Sequence, residues 1–300
     1  MIDIGKHRIY VLAAAFLWGC IGVYFKELVA RGFDPIQIVF IRTSIAMLGL
    51  GLWLLVTNRD AFRIWLKDIW CFLGTGVVSL LLFNWFYFRA IEEAGLAIAG
   101  VLLYTAPAIV TILSALLFKE KLKRSGWCIL IVIVTGCALV SGIIGGASEV
   151  TAAGILFGLG SGFGYALYSI FSRYALQRGY SPQTISFYTF LFCTLACFPF
   201  AVSVGVNPVI QLNDPVMWSL SLAIGLAGCL FPYWLYTKGL SGLTGAAASM
   251  TATLEPVVAV LFGVFLYSEA LMIWQIVGIV LVLGGIVLLS KTSATDRDAV

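Results

Sequence analysis

The chain has 300 residues, of which 61% are hydrophobic and 11% charged, and a formal net charge of +4. A soluble domain carries about 45–50% apolar and about 25% charged residues, so this composition excludes a water-soluble globule and calls for lipid to cover the apolar excess. The positive charges lie in the joins between apolar runs, as membrane topology requires, and nucleic acid is not an expected partner.

Ten apolar runs follow in order, each near the roughly 20 residues that cross a bilayer: about 9–26, 35–56, 69–90, 95–118, 125–145, 152–174, 183–204, 216–238, 244–267 and 272–290. The first contains Leu17-Trp18-Gly19-Cys20 after a basic start, which superficially resembles a lipoprotein cleavage site. Its apolar character continues through Phe25, so it reads as a membrane helix and not a removed signal. The second starts at Pro35 and carries Arg42 two turns inside. The third carries Asn84 and Trp85, the fourth Tyr104 and Pro107, the sixth Tyr165 and Tyr168, the eighth Tyr233, and the ninth Glu255 directly before Pro256. The runs are continuous and not alternating, which excludes β-barrel strands. Residues 292–300 form a polar tail.

Orientation follows from Lys and Arg. With the N-terminus in the cytoplasm, fourteen of the eighteen basic residues fall on the cytoplasmic side, three outside (Lys26, Arg31, Arg89), and Arg42 inside a span. Both termini are then cytoplasmic, as an even number of spans requires.

The two halves repeat. Arg31-Gly32-Phe33-x-Pro35 returns as Arg178-Gly179-Tyr180-x-Pro182, an offset of 147. Trp85-x-Tyr87-x-Arg89 returns as Trp234-x-Tyr236-x-Lys238, and Pro107 and Glu120 return as Pro256 and Glu269, both at an offset of 149. Each copy holds five spans. Five is odd, so the second copy enters the membrane from the opposite face. The expected fold is therefore an all-α membrane protein of ten transmembrane helices arranged as two inverted five-helix repeats, 1–146 and 147–291. Inverted repeats place a substrate site near the midplane between the halves.

Glu255 is the leading site residue. A carboxylate at that depth costs roughly 2.5–3.5 kcal/mol on insertion scales and should face protein or water. It could attract an ammonium group, carry a coupling proton, or serve as a buried structural acceptor. Pro256 lacks an N–H and, like Pro107, marks a hinge or gate in its helix. Arg42 could bind a substrate carboxylate, clamp carbonyls, or snorkel from a helix end. Both charges lack a repeat mate, since Arg42 aligns with Thr189 and Glu255 with Ala106. Trp18, Asn84, Trp85, Tyr104, Tyr165, Tyr168 and Tyr233 complete the expected substrate site, because aromatic faces hold cations and their polar edges bind polar ligands. Gly154, Gly158 and Gly162 give the sixth span a small-residue face on which another backbone can lie. Seven cysteines, none in a Cys-x-x-Cys pair, read as apolar fillers, and a lone His7 argues against zinc. No cofactor is expected.

With Trp18-Gly19, Pro35 with Arg42, Leu103-x-x-x-Pro107 leading to Glu120, and Leu254-Glu255-Pro256-Val257 leading to Tyr267-Ser268-Glu269, the chain resembles an EamA-type ten-helix member of the drug/metabolite transporter superfamily over its whole length. The resemblance implies a cavity lined mainly by spans one, three, four, six, eight and nine, peripheral fifth and tenth spans, and structural roles for Glu120 and Glu269. It implies transport of amino acids, aromatic compounds or other small metabolites across the inner membrane. The residues favour amino acids or organic amines, with protons as a candidate coupling ion. A phosphate-ester cargo would call for several embedded cations. A membrane-embedded enzyme would need a nucleophile with its base, a metal site or paired acids, none of which is apparent. A lipid-handling or assembly protein would need a cavity open sideways to lipid.

Overall fold

The structure, a computed structural model, describes residues 4–120, 122–141, 151–205, 214–267 and 270–295. Glu269, expected as a helix-end acid, and Lys121 and Arg297, expected as cytoplasmic charges, lie outside the described residues. Every regular element described is helical, as an apolar environment without water demands of the backbone.

The first crossing is α1 (Ile4–Gly19) continued by α2 (Ile21–Ala30), and the second is α3 (Pro35–Thr57). Short 3-10 turns lead into α4 (Ile69–Leu73), a π-helical stretch Gly74–Leu81, and α5 (Leu82–Leu103). Gly95, at φ 80°, breaks α5 and turns the chain from the third crossing into the fourth, which continues in α6 (Ala106–Phe118). Then come α7 (Arg124–Val140), α8 (Ala152–Gln177) and α9 (Pro182–Ser203). The eighth crossing is α10 (Pro215–Gly225), a π-helical stretch Leu226–Leu230, and α11 (Phe231–Leu240). The ninth is α12 (Gly245–Ala252) with α13 (Leu254–Tyr267), and the tenth is α14 (Ile273–Thr295). Eight helical stretches are long and apolar enough to cross a membrane, and α6 and α7 are shorter apolar helices.

Local sequence sets these boundaries. Asp34 accepts the Ile36 N–H at 2.9 Å while the Gln37 side chain accepts the Asp34 N–H at 3.0 Å, so α3 begins with reciprocal caps and Pro35 in its first turn. In the second half Ser181 caps α9 in the same place, ahead of Pro182. The turns before these caps each hold a left-handed glycine, Gly32 at φ 89° and Gly179 at φ 83°.

Correspondence between the halves extends to irregularities. The π-helical stretches sit at matching places in crossings three and eight, and the interruption at Tyr104–Thr105 matches the one at Thr253. Packing obeys the same exchange. α3 lies on α9 and α7 on α14, pairs that swapping the halves returns to themselves. The α5–α8 contact becomes the α1–α11 contact under that swap. α7 and α14 form a peripheral pair whose backbones meet at Gly136 and Gly278; a Cβ on Gly278 would stand 2.7 Å from the Gly136 carbonyl oxygen.

The glycine face of α8 lets α5 approach. An added Cβ on Gly154 would meet the Ala94 Cβ at 2.5 Å, and one on Gly158 would meet Leu102 at 2.4 Å. Dispersion contact over this surface takes the place of a hydrophobic driving force, which lipid cannot supply between helices. Of the seven cysteines six are buried, and all are free thiols.

Candidate functional site

At the centre, Trp18 of α1 is 6% exposed and stands among tyrosines from the other half. Its ring centroid lies 6.1 Å from Tyr165, 5.1 Å from Tyr233 and 5.4 Å from Tyr236. Tyr168 packs edge-on against Tyr233 at 5.0 Å. Phe83 closes the cluster against Tyr165 at 5.5 Å. These rings, with Ser79 and Ser169, enclose a cavity of about 10 Å³, room for about one water molecule. The conformation is closed around its aromatic centre. Edge-on packing of this kind adds about 0.5–1.5 kcal/mol per pair beyond burial.

Hydroxyl groups fix the rings. The Tyr168 and Thr237 hydroxyls pair at 2.8 Å, and those of Ser169 and Tyr236 at 2.7 Å. Ser79 donates to the Gly164 carbonyl at 2.7 Å, tying the π-helical stretch of the third crossing to α8.

Glu255 lies beside this cluster and accepts from the Tyr165 hydroxyl at 3.1 Å. It occupies the first turn of α13, immediately after the break at Thr253. Exposed N–H groups at a helix start favour a carboxylate there. Pro107 likewise sits in the first turn of α6, after the break at Thr105. Both prolines thus begin second half-helices.

Arg42 is 7% exposed and donates to the Asn84 side-chain oxygen at 2.9 Å. Asn84 is held in turn by donating to the Leu80 carbonyl at 2.6 Å. Arg42 therefore does not snorkel: the side chain turns into the bundle, where an amide oxygen meets it. Among the described residues its Nε has no hydrogen-bond partner, and no carboxylate pairs with it.

Of the sequence candidates, Trp18, Tyr165, Tyr168 and Tyr233 meet around one cavity, with Glu255 bonded to its edge. Asn84 contributes by holding Arg42. Tyr104, half-buried at the α5–α6 break, packs with the α7–α14 side and is not among the residues that line the central cavity. Trp85 is placed elsewhere: it is 47% exposed and packs on Phe86 and Phe157 with centroids 5.1 and 5.8 Å away. Its neighbour Asn84 faces inward, so one step of about 100° along the helix turns Trp85 out to lipid. Ser79, Phe83 and Ser169 line the cavity although the sequence does not single them out, and they are joined by Tyr236, one of the aromatic residues of the spans expected to face the centre. For Ser169 the signal was present, since it shares a helical face with Tyr165 and Tyr168.

On the lysine- and arginine-rich face a second polar group closes the bundle. Glu120, just after α6, accepts from Arg173 of α8 at 2.5 Å and from the Gly245 N–H of α12 at 3.1 Å. Arg173 also donates to the Leu243 carbonyl at 2.6 Å. One pair thus fastens spans four, six and nine across both halves. The expected result of Arg173→Ala is a loss of about 1–3 kcal/mol, because the half-buried Glu120 carboxylate keeps only one donor; thermal unfolding in detergent checks it, and Arg173→Lys should restore part of the loss.

The model of the EamA-like transporter family matches residues 6–142 and again 152–291. The uncharacterized transporter YwfM of Bacillus subtilis is 26% identical over 294 residues, 98% of this chain and 96% of that protein. An uncharacterized transporter of Archaeoglobus fulgidus is 26% identical over 93% of this chain and 94% of its own. The uncharacterized inner membrane transporter YhbE of Escherichia coli is 26% identical over 84% of this chain and 78% of its own. A solved crystal structure superposes with a TM-score of 0.79 at 16% identity, covering 97% of this chain and 98% of its own, which shows a shared fold.

Proposed function

The chain belongs to the EamA-like transporter family and is a multi-pass membrane transporter, and from that premise we propose that its cargo is a small zwitterion or organic amine, with amino acids and amines leading. The observation that carries this reading is a pair of embedded opposite charges on one aromatic cluster. Glu255 is bonded at the Tyr165 side. Arg42 is held by Asn84, the residue next to Phe83 of the cavity lining, and has no carboxylate partner among the described residues. Trp18 is in ring contact with both Tyr165 and Tyr233. An ammonium group would take Glu255 and the aromatic faces, a carboxylate would take the guanidinium, and a planar or apolar body would lie along Trp18.

Transport then proceeds by rocking of two halves, divided near residues 146 and 147, about this site. Pro107 and Pro256 serve as hinges at the two half-helix starts. Both termini face the cytoplasm of a cell whose inner membrane holds the protein; fluorescent and phosphatase tags at either end should both report the cytoplasmic side.

The test is a thermal-shift screen of purified protein against amino acids, polyamines, quaternary amines and nucleosides. A ligand at 100 times its dissociation constant stabilises by about 2.7 kcal/mol. Stabilisation by an amine or a zwitterion is the expected result. Stabilisation confined to nucleosides would overturn it.

A further inference from the structure

The repeated turn that opens crossings two and seven is used differently in the two halves. On the lysine- and arginine-rich face, Arg178 of that turn reaches out of its own half. Its Nε donates to the Asp68 carboxylate of the first half at 3.0 Å, and its guanidinium lies over the Trp70 ring, 5.0 Å from the centroid. Tyr180, two residues on, donates to the other Asp68 oxygen at 2.8 Å and accepts the Trp65 N–H at 3.0 Å. The Asp68 side chain is only 9% exposed, so solvent screens this pair little.

On the opposite face the corresponding parts stand apart. Asp68 directly precedes α4 at the start of crossing three, and Asp214 directly precedes α10 at the start of crossing eight. Arg31 holds the place of Arg178, and Phe33 that of Tyr180. Yet Arg31 turns back on its own helix, donating to the Glu27 carboxylate at 2.6 Å and to the Glu27 carbonyl at 3.1 Å. Asp214 caps α10 by accepting the Val216 N–H at 2.8 Å, and among the described residues it makes no ion pair. Asp68 makes no such cap bond to α4. Phe33 shares a buried cluster with Met217, one helical turn from Asp214. Arg31 and Asp214 are therefore neighbours without being partners.

The halves share one topology, inverted, so exchanging their conformations turns the molecule over, and closure of one face becomes closure of the other. We propose that Asp68 with Arg178 and Tyr180 is the latch that closes the lysine- and arginine-rich face, and that Arg31 with Asp214 is the alternate latch, made when that face opens. The proposal rests on rocking of the two halves about the Trp18 site. In the exchange Arg178 releases Asp68, whose carboxylate becomes free to cap α4. Arg31 leaves Glu27 for Asp214, whose carboxylate leaves the cap of α10. Each state then has one ion pair joining the halves, on the closed face. Phe33 lacks the hydroxyl through which Tyr180 bonds Asp68, so the alternate latch is one hydrogen bond weaker. The resting population is thereby biased toward the state with Asp68 and Arg178 paired.

The test reads the face to which the cavity opens. Full-length Ser169→Cys/Cys128→Ala protein carries a thiol on the cavity, and an impermeant maleimide labels it in inside-out and right-side-out vesicles, with Cys128→Ala alone as the blank. Asp68→Asn keeps the shape of the side chain and an oxygen for Tyr180, and loses the charge. Asp214→Asn likewise keeps the cap, because asparagine caps a helix as well as aspartate does. Asp68→Asn should raise the ratio of cytoplasmic to outer labelling rate by at least about fivefold, and Asp214→Asn should lower it by as much. The two together should return the ratio toward wild type, a result that loss of a merely structural contact would not give. Arg178→Gln breaks the same pair from its more exposed side and carries the test if Asp68→Asn does not fold. An unmoved ratio in either arm, or a shift of both in one direction, would overturn the latch while labelling of wild type from both faces leaves the rocking intact. Labelling of wild type from one face alone would remove the rocking and the latch together.

Discussion

Glu255→Gln is expected to cut ligand stabilisation sharply while leaving the protein folded. The amide keeps the volume of the carboxyl group, and its oxygen can still accept from the Tyr165 hydroxyl at the observed 3.1 Å. What disappears is the only embedded negative charge beside the aromatic cluster among the described residues. A hydrogen bond to a charged group contributes about 1.5–3 kcal/mol, so a ligand ammonium should bind roughly tenfold to a hundredfold more weakly. Titration calorimetry on wild type and variant, with a ligand found by thermal shift, measures this directly. Equal affinity in the two proteins would remove Glu255 from the site. Arg42→Gln supplies a complementary result: a zwitterion should weaken while a simple amine does not.

The second large effect is on assembly. A Cβ on Gly162 would stand 2.7 Å from the Thr105 hydroxyl and 2.8 Å from the Leu102 carbonyl. The first is a side-chain hydroxyl at the break between α5 and α6, but the Leu102 carbonyl and the Leu103 carbonyl at 3.2 Å are main chain of the last turn of α5, which cannot swing aside as a flexible side-chain end could. Gly162→Leu should therefore force α8 away from the fourth crossing, at a cost of about 3 kcal/mol or more. Size-exclusion chromatography and thermal unfolding in detergent read the outcome. A variant as stable as wild type would mean that α8 does not lie against this break.

Much of this architecture is legible before any coordinate. Apolar length and the placement of Lys and Arg determine ten crossings because lipid admits few alternatives, and Pro107 with Glu120 against Pro256 with Glu269 exposes the repeat. Rotation about each helix axis is far harder to read. Lipid and bundle interior are both apolar, so the contrast that orients a soluble amphipathic helix is missing. That is why Asn84 and Trp85, adjacent in sequence, end on different faces of a helix, one buried and the other turned to lipid. The Arg42–Asn84 hydrogen bond joins residues 42 apart, with no motif to announce it. Proline drew attention to crossings four and nine, yet the breaks fall two or three residues earlier, at Thr105 and Thr253, because Pro suits the first turn of a helix. The two π-helical stretches had no sequence signature that periodicity could detect.

Transport by this protein requires the space around Trp18 to open in turn to the two faces of the membrane. Ser169→Cys, in a background where the exposed Cys128 is replaced by alanine, places a thiol on that cavity. Impermeant thiol reagents are then applied separately to right-side-out and inside-out vesicles. Labelling from both faces, with a stabilising ligand changing the two rates in opposite directions, is the predicted result. Labelling from one face alone, whatever the ligand, would contradict it.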